Sequence, residues 1–260
     1  MRYNTVLSIA GSDPSGGAGI QADIKTCTAL GCYAMTAITA VTVQCTTGVQ
    51  GYRAMPPQLI ADQIRCVCTD IRPDAVKIGM VPDVEAARAI ADALIALDIR
   101  NIVVDPVMVA TAGQSLSNES VQQVLIGKLE PQGIILTPNL IEADALAKMD
   151  GFDSMFGAKW LLVKGGHGNG NALVDTLYCA DTGATRVFPH PKIDTPNTHG
   201  TGCSLSSAIA SYMAKGCGPE QAVASAIAWL QKAIAAGAPY SIGHGHGPVN
   251  HMFDIINIQK

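Results

Sequence analysis

The sequence predicts an α/β protein in three layers, an open and mostly parallel sheet with helices on both faces. Three observations lead there. Short, continuously apolar, β-rich runs recur along the chain, as strands buried on both faces require. Segments with apolar residues at helical spacing separate them. In the last third this alternation gives way to a hairpin and two successive helices, which excludes a barrel of eight strictly alternating units.

The expected strands are Val6–Ala10, Ala34–Val43, Ala75–Ile78, Ile102–Val104, Ile134–Leu136 and Trp160–Val163. Helical patterns cover 20–30, 57–69, 84–97, 117–128 and 140–148. After Lys164, Leu173–Cys179 and Arg186–Pro189 read as a hairpin turned by Asp181-Thr-Gly183. Helices over 203–215 and 219–236 follow, the second with Pro219 in its first turn. No repeat or linker interrupts the chain, so residues 1–260 are expected to form one domain.

With 48% apolar and 15% charged residues, the chain is not disordered. Its net charge of −4 and 17 scattered Lys and Arg give no footprint for nucleic acid. No signal peptide begins at Met1, and no apolar stretch reaches the length of about 18 residues that a membrane span needs. The eight cysteines form no C-x-x-C pair and read as reduced, buried thiols of a soluble cytoplasmic protein. The six histidines make no zinc spacing with them, and His244-Gly-His246 reads as a tight loop.

Ligands of open α/β sheets gather beyond the carboxyl ends of the strands, and five such ends carry chemistry. The first is Gly11-Ser-Asp-Pro-Ser-Gly-Gly-Ala-Gly19. It contains Gly17-x-Gly19-x-x-Ala22, close to a dinucleotide fingerprint, but the loop is too long and the second strand ends at Gln44 without an acid for a ribose. Its backbone N–H groups can instead clasp a small polar molecule. Asp23, one turn into the next helix, either faces that pocket or favours the helix dipole. At the second, Asp105-Pro106, the aspartate is a turn former or a magnesium-side carboxylate. The third, Thr137-Pro-Asn139-Leu-Ile-Glu142, has the spacing of a capping box, and its Asn and Glu also suit a hydrated cation. Fourth is Lys164-Gly-Gly-His167, where a strand-end lysine beside glycines suits a phosphate.

The fifth is Asn197-Thr-His-Gly200-Thr-Gly202-Cys203, directly before an Ala/Ser-rich helix. Two glycines around Thr201 permit an unusual backbone with successive N–H groups aimed at one spot. The helix adds its positive end, making an anion hole for a transferring phosphoryl group. Cys203 stands at the helix N-terminus, where a thiolate is favoured.

In this order, and with Val76-Lys-Ile-Gly-Met80, Asp105-Pro-Val-Met108 and Gly243-His-Gly-His-Gly-Pro-Val249, these motifs resemble the hydroxymethylpyrimidine/phosphomethylpyrimidine kinases of thiamine biosynthesis. These are a branch of the ribokinase-like superfamily, and the resemblance covers residues 5–251. It implies a ribokinase-like fold and an enzyme that uses ATP and Mg²⁺. Such an enzyme phosphorylates 4-amino-5-hydroxymethyl-2-methylpyrimidine and then its monophosphate. Carried onto this chain, Asp23 and Gln44 would hydrogen-bond the pyrimidine edge, with Gly11, Met80 and Val107 around the ring. The Gln44 amide offers the donor and the acceptor that an aminopyrimidine needs. Asp105 and Glu142 would stand on the magnesium side, with Asn139 nearby, and Lys164 and Thr198 would lie on the ATP side. Gly200, Thr201, Gly202 and Cys203 would form the anion hole, with Cys203 as proton acceptor where most ribokinase-like enzymes place an aspartate.

One departure from the family is the short Asp150–Gly157 segment, where a full helix is usual. A pyridoxal kinase-like activity and a non-catalytic pyrimidine-binding regulator are the alternatives. A homodimer through the open edge of the sheet is expected by analogy with relatives.

Overall fold

The computed structural model describes residues 2–108, 119–149, 155–165 and 172–254. In chain order its elements are β1 (Thr5–Ser12), α1 (Gly19–Ala29), β2 (Tyr33–Cys45), β3 (Gly48–Ala54), α2 (Pro57–Asp70), β4 (Ala75–Ile78) and α3 (Val84–Ala96). Then come β5 (Ile102–Val104), α4 (Glu119–Leu129), β6 (Ile135–Leu136), α5 (Leu140–Leu146) and β7 (Trp160–Val163). The chain continues with β8 (Ala172–Cys179), β9 (Thr185–Pro191), α6 (Thr201–Ala214) and α7 (Pro219–Gly237).

The strands form one sheet in the order β3-β2-β1-β4-β5-β6-β7-β8-β9. Pairing is parallel from β2 through β7 and antiparallel at both edges, where β3 and the β8–β9 pair close it. The central strands are apolar throughout because both faces are covered. Ile102 and Val104 of β5 pack with Ile60 and Ile64 of α2 and Ile90 and Leu94 of α3. Val103, between them, joins the opposite core with Leu205 and Ile209 of α6 and Val223 and Leu230 of α7. Strand alternation thus splits one apolar run between two cores.

Helix starts follow local chemistry. The Asp83 side chain caps α3 by accepting from the Ala86 N–H, and proline opens α2 and α7. The six parallel strands and the late hairpin stand where the sequence places them. β1 and β2 run two residues further, to Ser12 and Cys45, which draws Gln44 into the sheet. α6 begins two residues early, at Thr201. β3 is a strand the sequence pattern did not announce. Its Gly-Val-Gln-Gly-Tyr-Arg-Ala run shows no apolar alternation, and pairing with β2 fixes it instead.

Candidate active site

The carboxyl ends of β1, β4, β5, β6 and β7 share one rim, and the N-terminus of α6 meets it. A cavity of about 740 Å³ opens there. It takes in Gly11, Gln44, Met80 and Val107 toward the β2 edge, and Asp105, Asn139, Glu142 and Lys164 at the middle strands. Thr198, Gly200, Thr201, Gly202 and Cys203 line it from α6 and the loop before it.

Each position has a local cause. The β2–β3 register shifts between Val43 and Gln44, an irregularity of the kind that re-aims a side chain. Thr42 Oγ1 donates to Gln44 Oε1 at 3.3 Å, which leaves the amide nitrogen free to donate elsewhere. A Cβ on Gly11 would lie 2.9 Å from Met80 Sδ, so a side chain there would push the flexible thioether out of place. Met80 and Ala40 form a small buried apolar cluster with Val107 packed against it, a wall suited to a flat ring.

At the centre, Lys164 Nζ donates to Asp105 Oδ1 at 2.9 Å and lies 4.0 Å from Glu142 Oε2. Burial opposes the Lys164 charge, but Asp105 and Glu142 more than offset this and hold the ammonium above its ordinary range. Burial pushes the Glu142 carboxyl up, with Asp105 adding to it and Lys164 working against it. The capping box is realised. Asn139 accepts from the Glu142 N–H and Glu142 Oε2 from the Asn139 N–H, both at 2.9 Å. Asn139 therefore spends its side-chain oxygen on α5, and Glu142 keeps Oε1 toward the Met108 N–H.

Gly200 caps α6 with φ +77° in the left-handed region, and a Cβ there would strike the Gly17 carbonyl. A Cβ on Gly202 would lie 3.4 Å from Asp105 Oδ2 and 3.5 Å from Lys164 Nζ. The first turn of α6 thus stands directly against the charged pair. Its N–H groups have no intrahelical partner, which is the geometry of an anion hole.

Two expectations need correction. Asp23 does not reach a substrate edge, and it is not a surface residue favouring the helix dipole. It is fully buried below the cavity, where Lys77 Nζ donates to both its oxygens at 3.0 and 2.9 Å. Ser207 and Ser8 hydroxyls donate to it at 2.7 and 2.6 Å, so every lone pair facing the interior is used. Cys203 is not a thiolate. Burial pushes its thiol up to about 11, with Asp23 and Asp105 adding to the rise, and outweighs the Lys77 cation and a backbone hydrogen bond from Gly19. Gly166, His167 and Asp150–Ser154 lie outside the described residues.

Three residues of the site had no role in the sequence reading. Lys77 lines the cavity floor, and its signal was a lysine inside the apolar strand Ala-Val-Lys-Ile. Asp13 accepts from the N–H groups of Gly17 and Ala18, from Ser15, and from His199 Nε2 at 2.8 Å. Burial works against its charge, yet these donors hold it well below the carboxylate range. The Asp13–His199 pair ties the loop after β1 to the loop before α6. The glycine-rich motif after α7 serves the same end. Its Gly247 carbonyl accepts from the His199 N–H, and Gly245 leaves no room for a Cβ against Thr46. His246 Nδ1 rests 3.1 Å from the Pro196 carbonyl, so His244-Gly-His246 is a packed loop. No cluster of three metal-ligating side chains occurs among the described residues.

A ring-sized pocket beside a lysine–carboxylate pair and a helix-borne anion hole, on this sheet order, defines a small-molecule kinase of the ribokinase-like class. The comparisons narrow the class. Residues 13–250 match the phosphomethylpyrimidine kinase family, and the chain belongs to it. It is 44% identical over 257 residues to the hydroxymethylpyrimidine/phosphomethylpyrimidine kinase of Rhizobium meliloti, covering 94% of this chain and 96% of that one. It is also 44% identical over 259 residues to the thiamine biosynthesis bifunctional protein ThiED of Geobacter sulfurreducens, covering 95% of this chain and 52% of that longer one. The ADP complex of Bacillus subtilis pyridoxal kinase superposes with a TM-score of 0.84 at 32% identity, covering 96% of this chain and 98% of that one.

Proposed function

We propose that the protein transfers the γ-phosphoryl group of ATP to the hydroxymethyl group of 4-amino-5-hydroxymethyl-2-methylpyrimidine, and then phosphorylates the monophosphate. The observation that carries this is one cavity holding the Gln44–Met80–Val107 pocket next to Lys164 and the first turn of α6. Gln44 reads the aminopyrimidine edge while Gly11 lets the ring approach the backbone. Lys164 and the N–H groups of Gly202 and Cys203 hold the phosphates and stabilise the charge that develops in transfer. Asp105 and Glu142 fit magnesium. Two hard carboxylates near a phosphate site suit an ion that keeps waters and takes its remaining ligands from the substrate. Bound there, the ion would neutralise phosphate charge.

Cys203 stands where the substrate hydroxyl would lie and accepts its proton as the thiolate, once its own thiol proton has passed to solvent. A loose transition state makes little demand on the base, so the proton can leave late, to a thiolate that the Lys77 cation favours against burial. Cys203→Ala should lower kcat by about two orders of magnitude, the usual scale for proton transfer, with substrate affinity unchanged. Near-normal turnover would remove the role. The deciding assay is pyrimidine-dependent ADP release with hydroxymethylpyrimidine, its monophosphate and pyridoxal compared side by side. Turnover on both pyrimidines is expected. A preference for pyridoxal, the substrate named for several structural neighbours, would keep the fold and change the substrate. Eight free thiols support action in a reducing compartment such as the cytoplasm. No described helix is long and apolar enough to cross a membrane. The exposed Val41 and Val43 on the β2 edge support the expected homodimer.

A further inference from the structure

Gln44 sits on a thinly supported stretch of the sheet. β1 accompanies β2 as far as the pair Ser12 and Val41. Beyond it, the sheet partners of Gln44 and Cys45 among the described residues are Val49 and Gly48 of β3. A two-stranded ribbon alone is marginally stable, so an amide carried on its end needs a further hold to keep one aim. That hold is at Thr46, in the short turn between β2 and β3. Thr46 Oγ1 accepts from the His244 and Gly245 N–H groups, each at 3.2 Å, and the Thr46 carbonyl accepts from the His246 N–H at 3.1 Å. Gly243, at φ +73°, and Gly245 let the two backbones come this close. A Cβ on Gly243 would strike Thr46 Oγ1, and one on Gly245 the Thr46 carbonyl. The same segment is tied down on either side. Asn197 Nδ2 donates to the Gly237 and Tyr240 carbonyls at 2.9 and 2.7 Å, and the His199 N–H donates to the Gly247 carbonyl at 3.0 Å. Residues 243–247 therefore strap the hairpin tip, two residues from Gln44, to the loop that precedes the anion hole.

We propose that Thr46 is a positioning residue for the pyrimidine: its hydroxyl, gripped by the strap, fixes the β2–β3 tip so that Gln44 meets the ring at a set distance from the first turn of α6. The inference rests on the reading that Gln44 hydrogen-bonds the aminopyrimidine edge. Thr46 acts through Gln44 and not on the ring. A reader fixed before the ligand arrives spares binding the cost of ordering the hairpin, and the gain appears as pyrimidine affinity.

Calorimetric dissociation constants for hydroxymethylpyrimidine and, separately, for ADP test this. Thr46→Val keeps the shape and removes the acceptor, whereas Thr46→Ser keeps the acceptor. Thr46→Val should weaken the pyrimidine about tenfold, the scale of one or two lost hydrogen bonds, and leave ADP unchanged. Thr46→Ser should bind both ligands as the parent does. In a Gln44→Ala background, Thr46→Val should cost no further pyrimidine affinity, because no amide is left to aim. Parental pyrimidine affinity in Thr46→Val overturns the inference, as does a Thr46→Ser protein as weak as Thr46→Val. A loss that ADP shares, or one that persists in full beside Gln44→Ala, also overturns it, since either marks a general loosening of the fold. Failure of the unaltered protein to bind the pyrimidine overturns it too. The expected pattern of binding in a protein that does not phosphorylate the pyrimidine would leave it standing and count only against the proposed function.

Discussion

Lys77 and Asp23 are each wholly inaccessible, and together they place a charge pair under the reacting end of the cavity. Such pairs rarely add stability over apolar residues of the same size, but removing one partner strands the other in the interior. Lys77→Met should therefore cost about 3–5 kcal/mol, read as a lower urea midpoint at constant m. The double variant Asp23→Leu/Lys77→Met should recover most of it. A single variant as stable as the parent would show that Asp23 takes up a proton without penalty. Ser207, one turn beyond Cys203 on α6, donates to the same Asp23. The pair thus fixes the helix that carries the anion hole, which gives a buried charge a purpose beyond stability.

The helices and the closing loops behave differently. Where a strand is apolar throughout or a helix repeats its apolar positions, burial alone decides, and β4, β5 and β7 lie at their expected residues. β3 was hidden because an edge strand with one exposed face needs little apolar patterning. Gln44, Met80 and Lys164 were legible as lining because strand ends converge on one rim. The burial of Asp23 was not, since it depends on a lysine brought in from another strand. Nor was the Cys203 thiol. A helix N-terminus favours a thiolate only where water or a cation covers the cost of burial, and here two carboxylates act against it. His251 Nε2, after α7, is hydrogen-bonded to Ser204 Oγ on α6 at 2.9 Å, and burial pushes its pKa down to about 4. A histidine held below its unfolded value stabilises the fold above about pH 6.5 and loses that contribution as pH falls toward 4, a loss of roughly 3 kcal/mol in all. Urea midpoints at pH 7.5 and 4.5 should fall further apart for the parent than for His251→Asn. Equal differences would mean that the ring titrates freely.

Across the whole molecule, the antiparallel edges differ in what they leave uncovered. β9 packs against α7, while the β2–β3 edge presents Val41 at 46% and Val43 at 60% exposure. We predict a particle of twice 27.0 kDa in light scattering, reduced to a monomer by Val41→Lys/Val43→Lys. A 27.0 kDa particle for the unaltered chain would refute it. The latch between Asp13 and His199 joins positions 186 residues apart, and the Gly247 carbonyl holds His199 from still later in the chain. Closing so long a loop is entropically among the last steps of folding. A chain still emerging from the ribosome can have its strands paired and its ring pocket lined, yet leave the loop before α6 unlatched until Gly247 arrives to hold His199. Nucleotide therefore cannot guide the early stages of folding. Its protection should appear in the unfolding rate, with the latch among the first contacts to open.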